Sequence, residues 1–332
     1  MGRPIRDQAI VITGATSGIG LATALAAARR GARLALAARN AAELDRAAAR
    51  VRAEGGEAVV VPTDVTDHPQ VEALARAAVD AFGRINTWIN NAAVAVYGTF
   101  MDVPLTDFRR VFDVDFMGQV HGARAALPHL EASGGTLICV GSVIGQRGVP
   151  LMGPYCAAKH ALEGWLDALR VELAHAGSRV RVALVRPSAV NTPLYQKARS
   201  YIGVEARPVR PVYAPELIAD AIIAIAESER PPRDRTIGLG MLLGAADHIS
   251  PRITDLFNAV YLYDRHWTPR PKRPDSPHDL YTPLPADGGV RGRWTYEEKR
   301  RSVLTDVVAR SRPSILLPLA ATLLWLAARL AR

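Results

Sequence analysis

The segment Thr13-Gly14-Ala15-Thr16-Ser17-Gly18-Ile19-Gly20 constrains this 332-residue chain more than any other. It follows Ala9-Ile10-Val11-Ile12, a short apolar run of the kind that forms a strand buried on both faces. It precedes Leu21–Ala28, which is alanine-rich and helix-prone. A strand, a glycine turn and a helix in that order make a pyrophosphate-docking unit. Gly14 and Gly18 let the backbone turn tightly and approach phosphate, and Gly20 lets the helix pack close to the strand. The exposed N–H groups of the helix then receive the anion. The spacing is G-x-x-x-G-x-G, and the expected fold class is α/β: a doubly wound parallel sheet, or Rossmann fold.

The segments that follow keep the alternation. Arg33–Ala38 reads as the next strand and ends at Arg39. An acidic residue at such a strand end binds the adenosine ribose 2′-hydroxyl, whereas Arg accommodates a 2′-phosphate, so NADP is expected in preference to NAD. A strand over Ala58–Pro62 runs into Asp64-Val65, where a carboxylate can accept from an adenine amine, and Thr87–Ile89 delivers Asn90-Asn91-Ala92-Ala93. Leu105–Glu131 reads as one long amphipathic helix. The strand Thr136–Val140 ends at Gly141-Ser142, on the carboxyl edge where open α/β sheets place ligands.

A helix over Pro154–Ala174 carries Tyr155 and Lys159 as an i, i+4 pair on one face. A tyrosine with its ordinary pKa near 10 is a poor acid or base at neutrality. A neighbouring ammonium favours the phenolate and lowers that pKa. Tyr155 can then exchange a proton with a carbonyl or alcohol oxygen, and Ser142 can hydrogen-bond the same oxygen as charge develops.

Composition narrows the class. Hydrophobic residues make up 49% of the chain, enough for a substantial core. Cys139 lies in an apolar strand and Cys156 beside Tyr155; neither implies a disulfide framework, which points to a reducing, cytoplasmic compartment. The histidines are scattered, with no H-E-x-x-H and no C-x-x-C, so no metal is expected. Met1–Pro4 leads almost directly into the first strand and leaves no room for a cleavable signal peptide. The formal charge is +9, and residues 246–332 carry 14 Lys and Arg against 9 Asp and Glu. No basic helix is interleaved with aromatics and no zinc-finger spacing occurs, so nucleic acid is not an expected partner.

Across roughly residues 5–245 the chain resembles the short-chain dehydrogenase/reductase family. It carries that family's T-G-x-x-x-G-x-G as Thr13–Gly20, its N-N-A-G as Asn90–Ala93 with Ala93 in place of Gly, and its Ser, Tyr and Lys as Ser142, Tyr155 and Lys159. The likeness extends through Val182–Pro187 to Thr192. The resemblance implies an NADP-dependent enzyme acting on CH–OH groups, interconverting an alcohol and a carbonyl. It assigns Tyr155 as general acid/base, Ser142 as the group orienting the substrate oxygen, and Lys159 as the group that binds the nicotinamide ribose and lowers the Tyr155 pKa. It implies cofactor contacts from Gly14, Thr16, Ser17, Gly18, Ile19 and Gly20, from Arg39, Asp64, Val65 and Asn91, and from Tyr155, Lys159, Pro187, Val190 and Thr192. A homo-oligomer is also expected.

Three positions depart from the family pattern. Where the family has Asn in V-N-x-x-G, this chain reads Val114-Asp115-Phe116-Met117-Gly118. That Asn helps hold a water linking the Lys to solvent. Asp115, counted with the catalytic set, is isosteric but able to ionise; its charge is expected to raise the Lys159 pKa and alter the pH profile. Ala93 and Ser188 each add a side chain near the cofactor cleft.

Leu194–Tyr213 is expected to form a mobile substrate lid, and its apolar and aromatic residues suit a hydrophobic alcohol or carbonyl. A helix over Glu216–Glu229 and a last strand over Thr236–Leu239 complete the family pattern. Residues 246–310 then form a Pro- and Arg-rich extension. Within it, 246–265 reads as an amphipathic helix with Ile249, Ile253, Leu256, Phe257, Val260 and Tyr261 on one stripe. Residues 266–293 have linker-like composition, although they could wrap a partner subunit.

Residues 311–332 read as an apolar C-terminal helix. Ser314–Ala328 is uncharged and bracketed by Arg310, Arg312, Arg329 and Arg332. Its length falls short of the about 20 residues a spanning helix needs. Membrane contact and a buried oligomer helix both stay open, the second because Leu316, Leu319, Leu323, Leu326 and Leu330 follow 3,4 spacing. A functional alternative from another class is a catalytically weak dinucleotide-binding sensor or scaffold at a membrane. The substrate and the physiological direction are not written in the sequence.

Overall fold

A computed structural model describes residues 2–286, 288–302 and 305. The apolar segment 311–332, with its membrane or subunit contact, lies outside the described residues. Among the described residues no helix is long and apolar enough to cross a membrane.

Seven parallel strands form the central sheet: β1 (Ala9–Thr13), β2 (Arg33–Ala38), β3 (Glu57–Pro62), β4 (Thr87–Asn90), β5 (Thr136–Val140), β6 (Arg181–Pro187) and β7 (Asp234–Ile237). Their order is β7-β6-β5-β4-β1-β2-β3. The central strands are apolar along their whole length because both faces are covered; every residue of β1, β4 and β5 is buried. On one face lie α1 (Gly18–Ala28) and α2 (Ala41–Ala53), packed with Ile10, Ile12, Leu34 and Leu36. The other face takes α3 (His68–Phe82), whose Asp67 cap accepts the Gln70 N–H. Strand order reverses between β1 and β4, which opens a crevice beyond their carboxyl ends.

The segment expected as one helix over Leu105–Glu131 is built in three parts. α4 (Leu105–Phe112) passes into a single π turn, Asp113–Met117, and then into α5 (Gly118–Ser133), which stops at Gly134 in the left-handed region. The wide turn lies where the helix backbone presses on the neighbouring loop: a Cβ at Gly118 would come within 2.6 Å of Val65 Cγ2. Such turns accommodate an extra residue and cluster at functional sites. Here the turn buries Val114 and Asp115.

α6 (Gly153–His175) packs on the α3 and α5 face. Beyond β6 come α7 (Leu194–Lys197), three short strands, and α8 (Pro215–Glu227), which joins α1. The expected mobile lid is tied down along its length. Its strand Val204–Ala206 pairs antiparallel with Trp267–Pro271, and Val212-Tyr213 pairs with Glu298-Lys299. Arg207 and Arg210 both reach Glu297, and Arg293 reaches Glu205. The linker-like stretch 266–293 therefore packs on its own chain: Arg293 and the strand Trp267–Pro271 meet the lid, and the carbonyls of Asp279, Leu280 and Tyr281 meet Arg39 on the crevice wall.

The stretch 246–265 is not one helix either. α9 (Met241–Ile249) and α10 (Pro251–Phe257) meet at Ser250-Pro251, followed by a π turn over Asn258–Leu262. Pro251 ends the first helix because it cannot donate to it. The apolar stripe is open to solvent, with Ile253 60% and Val260 74% exposed.

Candidate active site

Thr13, at the end of β1, pins two loops together. Its Oγ1 accepts the N–H groups of Asn91 and Ala92 at 3.0 and 3.2 Å. The Asn91 amide returns the contact, donating to the carbonyls of Thr13 and Gly14. This exchange fixes the glycine turn at the point where strand order reverses. Gly14 and Gly18 take φ of 66° and 56°, and Gly20 tolerates no side chain, since a Cβ would sit 2.2 Å from the Gly14 carbonyl oxygen. Ser17 begins α1 with extended backbone and does not cap it with its own hydroxyl. That hydroxyl instead receives Lys197 Nζ at 3.0 Å. Lys197, buried on α7, was invisible to motif reading: it lies 177 residues past the last glycine of the turn and belongs to no pattern.

Ser142 follows β5 and starts a short 3-10 turn, its Oγ accepting from Ile144 N at 3.3 Å. α6 opens with Pro154 and presents Tyr155 and Lys159 one turn apart, with Lys159 Nζ 5.4 Å from the Tyr155 ring centre. Lys159 Nζ donates to the Val140 carbonyl at 3.2 Å and faces Asp115 Oδ2 at 3.7 Å. The other Asp115 oxygen accepts the Val94 N–H at 2.9 Å. Both side chains are sealed, Lys159 at 1% and Asp115 at 0% exposure.

Burial decides the electrostatics, and it reverses one expectation, the lowering of Tyr155. It pushes the Asp115 carboxyl up to about 6, against the pull of the Lys159 ammonium. Asp115 raises Lys159, as expected, but burial lowers it by more, so the net shift is down. Burial also raises the Tyr155 phenol well above its ordinary value; Asp115 adds to the rise and the Ser142 hydrogen bond works against it. Tyr155 therefore moves up, opposite to the expected lowering.

Two further residues are already engaged. Burial pushes Asp64 up, but the hydrogen bonds from Arg110 and Thr66 win and hold it below the usual carboxylate range. Its Oδ2 takes Arg110 at 2.9 Å and its Oδ1 takes Thr66, contacts that fix in the cavity wall the carboxylate expected to meet an adenine amine. Arg39 is not a solvated side chain: its guanidinium donates to the carbonyls of Asp279, Leu280 and Tyr281 in the extension.

One cavity of about 740 Å³ brings these groups together. It is lined by Gly14, Thr16, Ser17, Gly18 and Ile19, by Arg39, Asp64, Val65 and Asn91, by Ser142, Tyr155 and Lys159, and by Pro187, Val190 and Thr192. Gly20 and Asp115 stand behind the wall. The other end of the cavity is apolar, formed by Leu239, Leu242, Leu243, Ile253 and Phe257. A helix N-terminus and a glycine turn on one cavity with Arg39 and Tyr155 fit a dinucleotide laid along the crevice.

Comparison with known proteins agrees with this architecture. Residues 8–202 match the model of the short chain dehydrogenase family. The uncharacterized oxidoreductase YxnA of Bacillus subtilis is 38% identical over 99% of this chain and 93% of its own length, extension included. The putative oxidoreductase SadH of Mycobacterium tuberculosis is 38% identical over 57% of this chain and 68% of its own. Among solved structures, an alcohol dehydrogenase from the archaeon Thermococcus sibiricus complexed with 5-hydroxy-NADP superposes with a TM-score of 0.62. It is 26% identical, and the match covers 69% of this chain and 94% of that one. The chain belongs to the short-chain dehydrogenase family of nicotinamide-dinucleotide-dependent oxidoreductases.

Proposed function

We propose that the protein interconverts a lipophilic alcohol and its carbonyl compound with NADP(H), using Tyr155 as the proton donor and acceptor. The observation that carries this reading is the shared cavity: Ser142, Tyr155 and Lys159 lie between the glycine turn and an apolar mouth built by α9 and α10. A bound nicotinamide dinucleotide supplies or takes the hydride. Gly14, Ser17 and Ile19 would hold its pyrophosphate, with Lys197 beside Ser17, while the Gly18 N–H is taken by the Gly289 carbonyl. Arg39 would meet the 2′-phosphate, and Pro187, Val190 and Thr192 would flank the nicotinamide end.

Ser142 donates its hydroxyl to the substrate oxygen and fixes it near the Tyr155 phenol. Because burial raises Tyr155, the phenol is protonated at neutral pH, the state needed to give a proton to a developing alkoxide. Lys159 stands behind it as a cation and steadies the phenolate left after that transfer. The apolar mouth selects for carbon chains or rings, since a polar substrate would lose hydration there without replacement.

The test is a panel of lipophilic aldehydes, ketones and alcohols assayed with NADPH or NADP+, with Tyr155→Phe as control. Turnover that vanishes in the control supports the reading. Tight cofactor binding without turnover on any member, in wild type as in the control, would overturn it in favour of a sensor.

A further inference from the structure

The extension crosses the adenosine end of the cavity as a strap, and the groups that bind it are those of the crevice wall. Arg39 donates from Nη1 to the carbonyls of Leu280 and Tyr281, and from Nη2 to that of Asp279. Arg110 Nε also donates to the Leu280 carbonyl, at 3.1 Å, and Asn40 Nδ2 to that of Leu284, at 2.8 Å. The Asp279 N–H donates to the Lys197 carbonyl at 3.1 Å, and farther along the Gly289 carbonyl accepts from Gly18 N at 2.9 Å. Two side chains anchor the strap: Leu280 is fully buried in the cluster that holds Val65 and Val114, and Tyr281 Oη donates to Asp107 at 2.8 Å.

Carbonyls orient a guanidinium without cancelling its charge. The contacts run from Nη1 and Nη2; among the described residues Nε has no partner, and with the second Nη2 hydrogen it makes a pair suited to a bidentate phosphate contact. Arg39 still lines the cavity, as do Asp279 and Pro283 of the strap. A long side chain already held in one pose loses less freedom on meeting its ligand.

We propose that this strap is part of the cofactor site: it holds Arg39 toward the adenosine 2′-phosphate, so that the extension as well as β2 sets the preference for the phosphorylated cofactor. This rests on the NADP reading above.

The test is fluorescence titration of the full chain with NADPH and with NADH. Replacing the two anchors, Leu280→Ala with Tyr281→Ala, is expected to raise the NADPH Kd about tenfold while the NADH Kd moves less than about twofold. Bound NADH then reports that the fold is intact. In an Arg39→Leu background the same pair should leave NADPH binding unchanged, because the strap acts through that side chain. Equal partial losses for both cofactors, with both still binding, or an undiminished preference, would overturn the proposal. If the double variant fails to bind either cofactor, Tyr281→Phe decides: it removes one hydrogen bond and should weaken NADPH about threefold without touching NADH. No change in preference there overturns the strap's role. A wild type without preference for NADPH sinks the NADP reading first, and this proposal with it.

Discussion

The motif-bearing part of the chain, from β1 to β6, and the extension over residues 266–302 face the same cavity, yet different forces hold them. In the first, parallel strands are buried on both faces and two apolar clusters fill the space between sheet and helices. Each buried Leu or Ile there is worth about 1.5–3 kcal/mol, so no single side chain decides the fold. The extension buries few large apolar groups, among them Leu280 and Trp294. It is held instead by arginines meeting carboxylates and carbonyls: Arg207 and Arg210 on Glu297, Arg291 on Glu298 and Glu216, Arg39 on three backbone oxygens. The sheet should therefore tolerate point changes that the extension does not.

The largest effect should come from the sheet side, and from chemistry rather than stability. Tyr155→Phe should cut kcat about a thousandfold while leaving the Kd for NADPH within about twofold, measured by single-turnover kinetics and titration. Loss of cofactor affinity on the same scale would mean that Tyr155 builds the site rather than working in it.

Next is Asp107, a buried carboxylate that joins lid and strap by accepting from Arg199, Tyr201 and Tyr281. Asp107→Ala should destabilise this region by about 2–3 kcal/mol, the usual cost of losing charged hydrogen bonds. Limited proteolysis should then cut the extension before the sheet domain. Simultaneous cutting of both would erase the distinction between the two regions.

Glu297 offers a milder version. The hydrogen bond from Arg210, with Arg207 adding to it, holds its carboxyl down at about 2. A depressed carboxylate stabilises fully above its unfolded value and loses that contribution as pH falls through its folded one. The latch should thus be constant above about pH 5 and fail only in strong acid. Glu297→Gln should raise KM about fivefold with kcat nearly unchanged, an effect that 1 M salt reproduces in the wild type because exposed Arg210 is screened. A fall in kcat instead of a rise in KM would place Glu297 in the chemistry.

The same contrast explains what could be read from the sequence. Alternating apolar runs and alanine-rich helices specify sheet order, and Thr13–Gly20, Ser142, Tyr155 and Lys159 mark a crevice because each sits at a strand end or in the first turns of a helix. Local spacing carries that information. The π turn at Asp113–Met117 is invisible to periodicity, since a single wide turn leaves the apolar spacing on either side unchanged, and it ends where Gly118 lies close against Val65. Lys197 beside Ser17 and the carbonyls around Arg39 are contacts between segments 180 and about 240 residues apart. The residues 266–293 read as a linker because arginine, proline and glycine lack a period, although Arg291 and Arg293 find carboxylates far off in sequence, at Glu216 and Glu205. Burial hid the rest: Tyr155 next to Lys159 in sequence suggests a lowered phenol, whereas enclosure raises it.

Asp115 gives the smallest expected effect and the finest test, because it belongs to the sheet side yet behaves as a charge. Ionised, it raises both Tyr155 and Lys159. Asp115→Asn removes that charge, so both groups should fall and the alkaline limb of the pH–rate profile should move down. An inflection near pH 6, where Asp115 itself titrates, should disappear. Stability follows the same group with a definite sign. A carboxyl raised to about 6 in the folded chain contributes most below its unfolded value near 4, and that contribution is lost as pH rises through 6. The wild type should therefore lose stability between pH 4 and pH 7, and the Asn variant should lose less over that window in urea titrations. Unmoved limbs together with an unchanged stability slope would show that Asp115 stays neutral throughout, and that the Lys159 ammonium has no charged partner in the sheet.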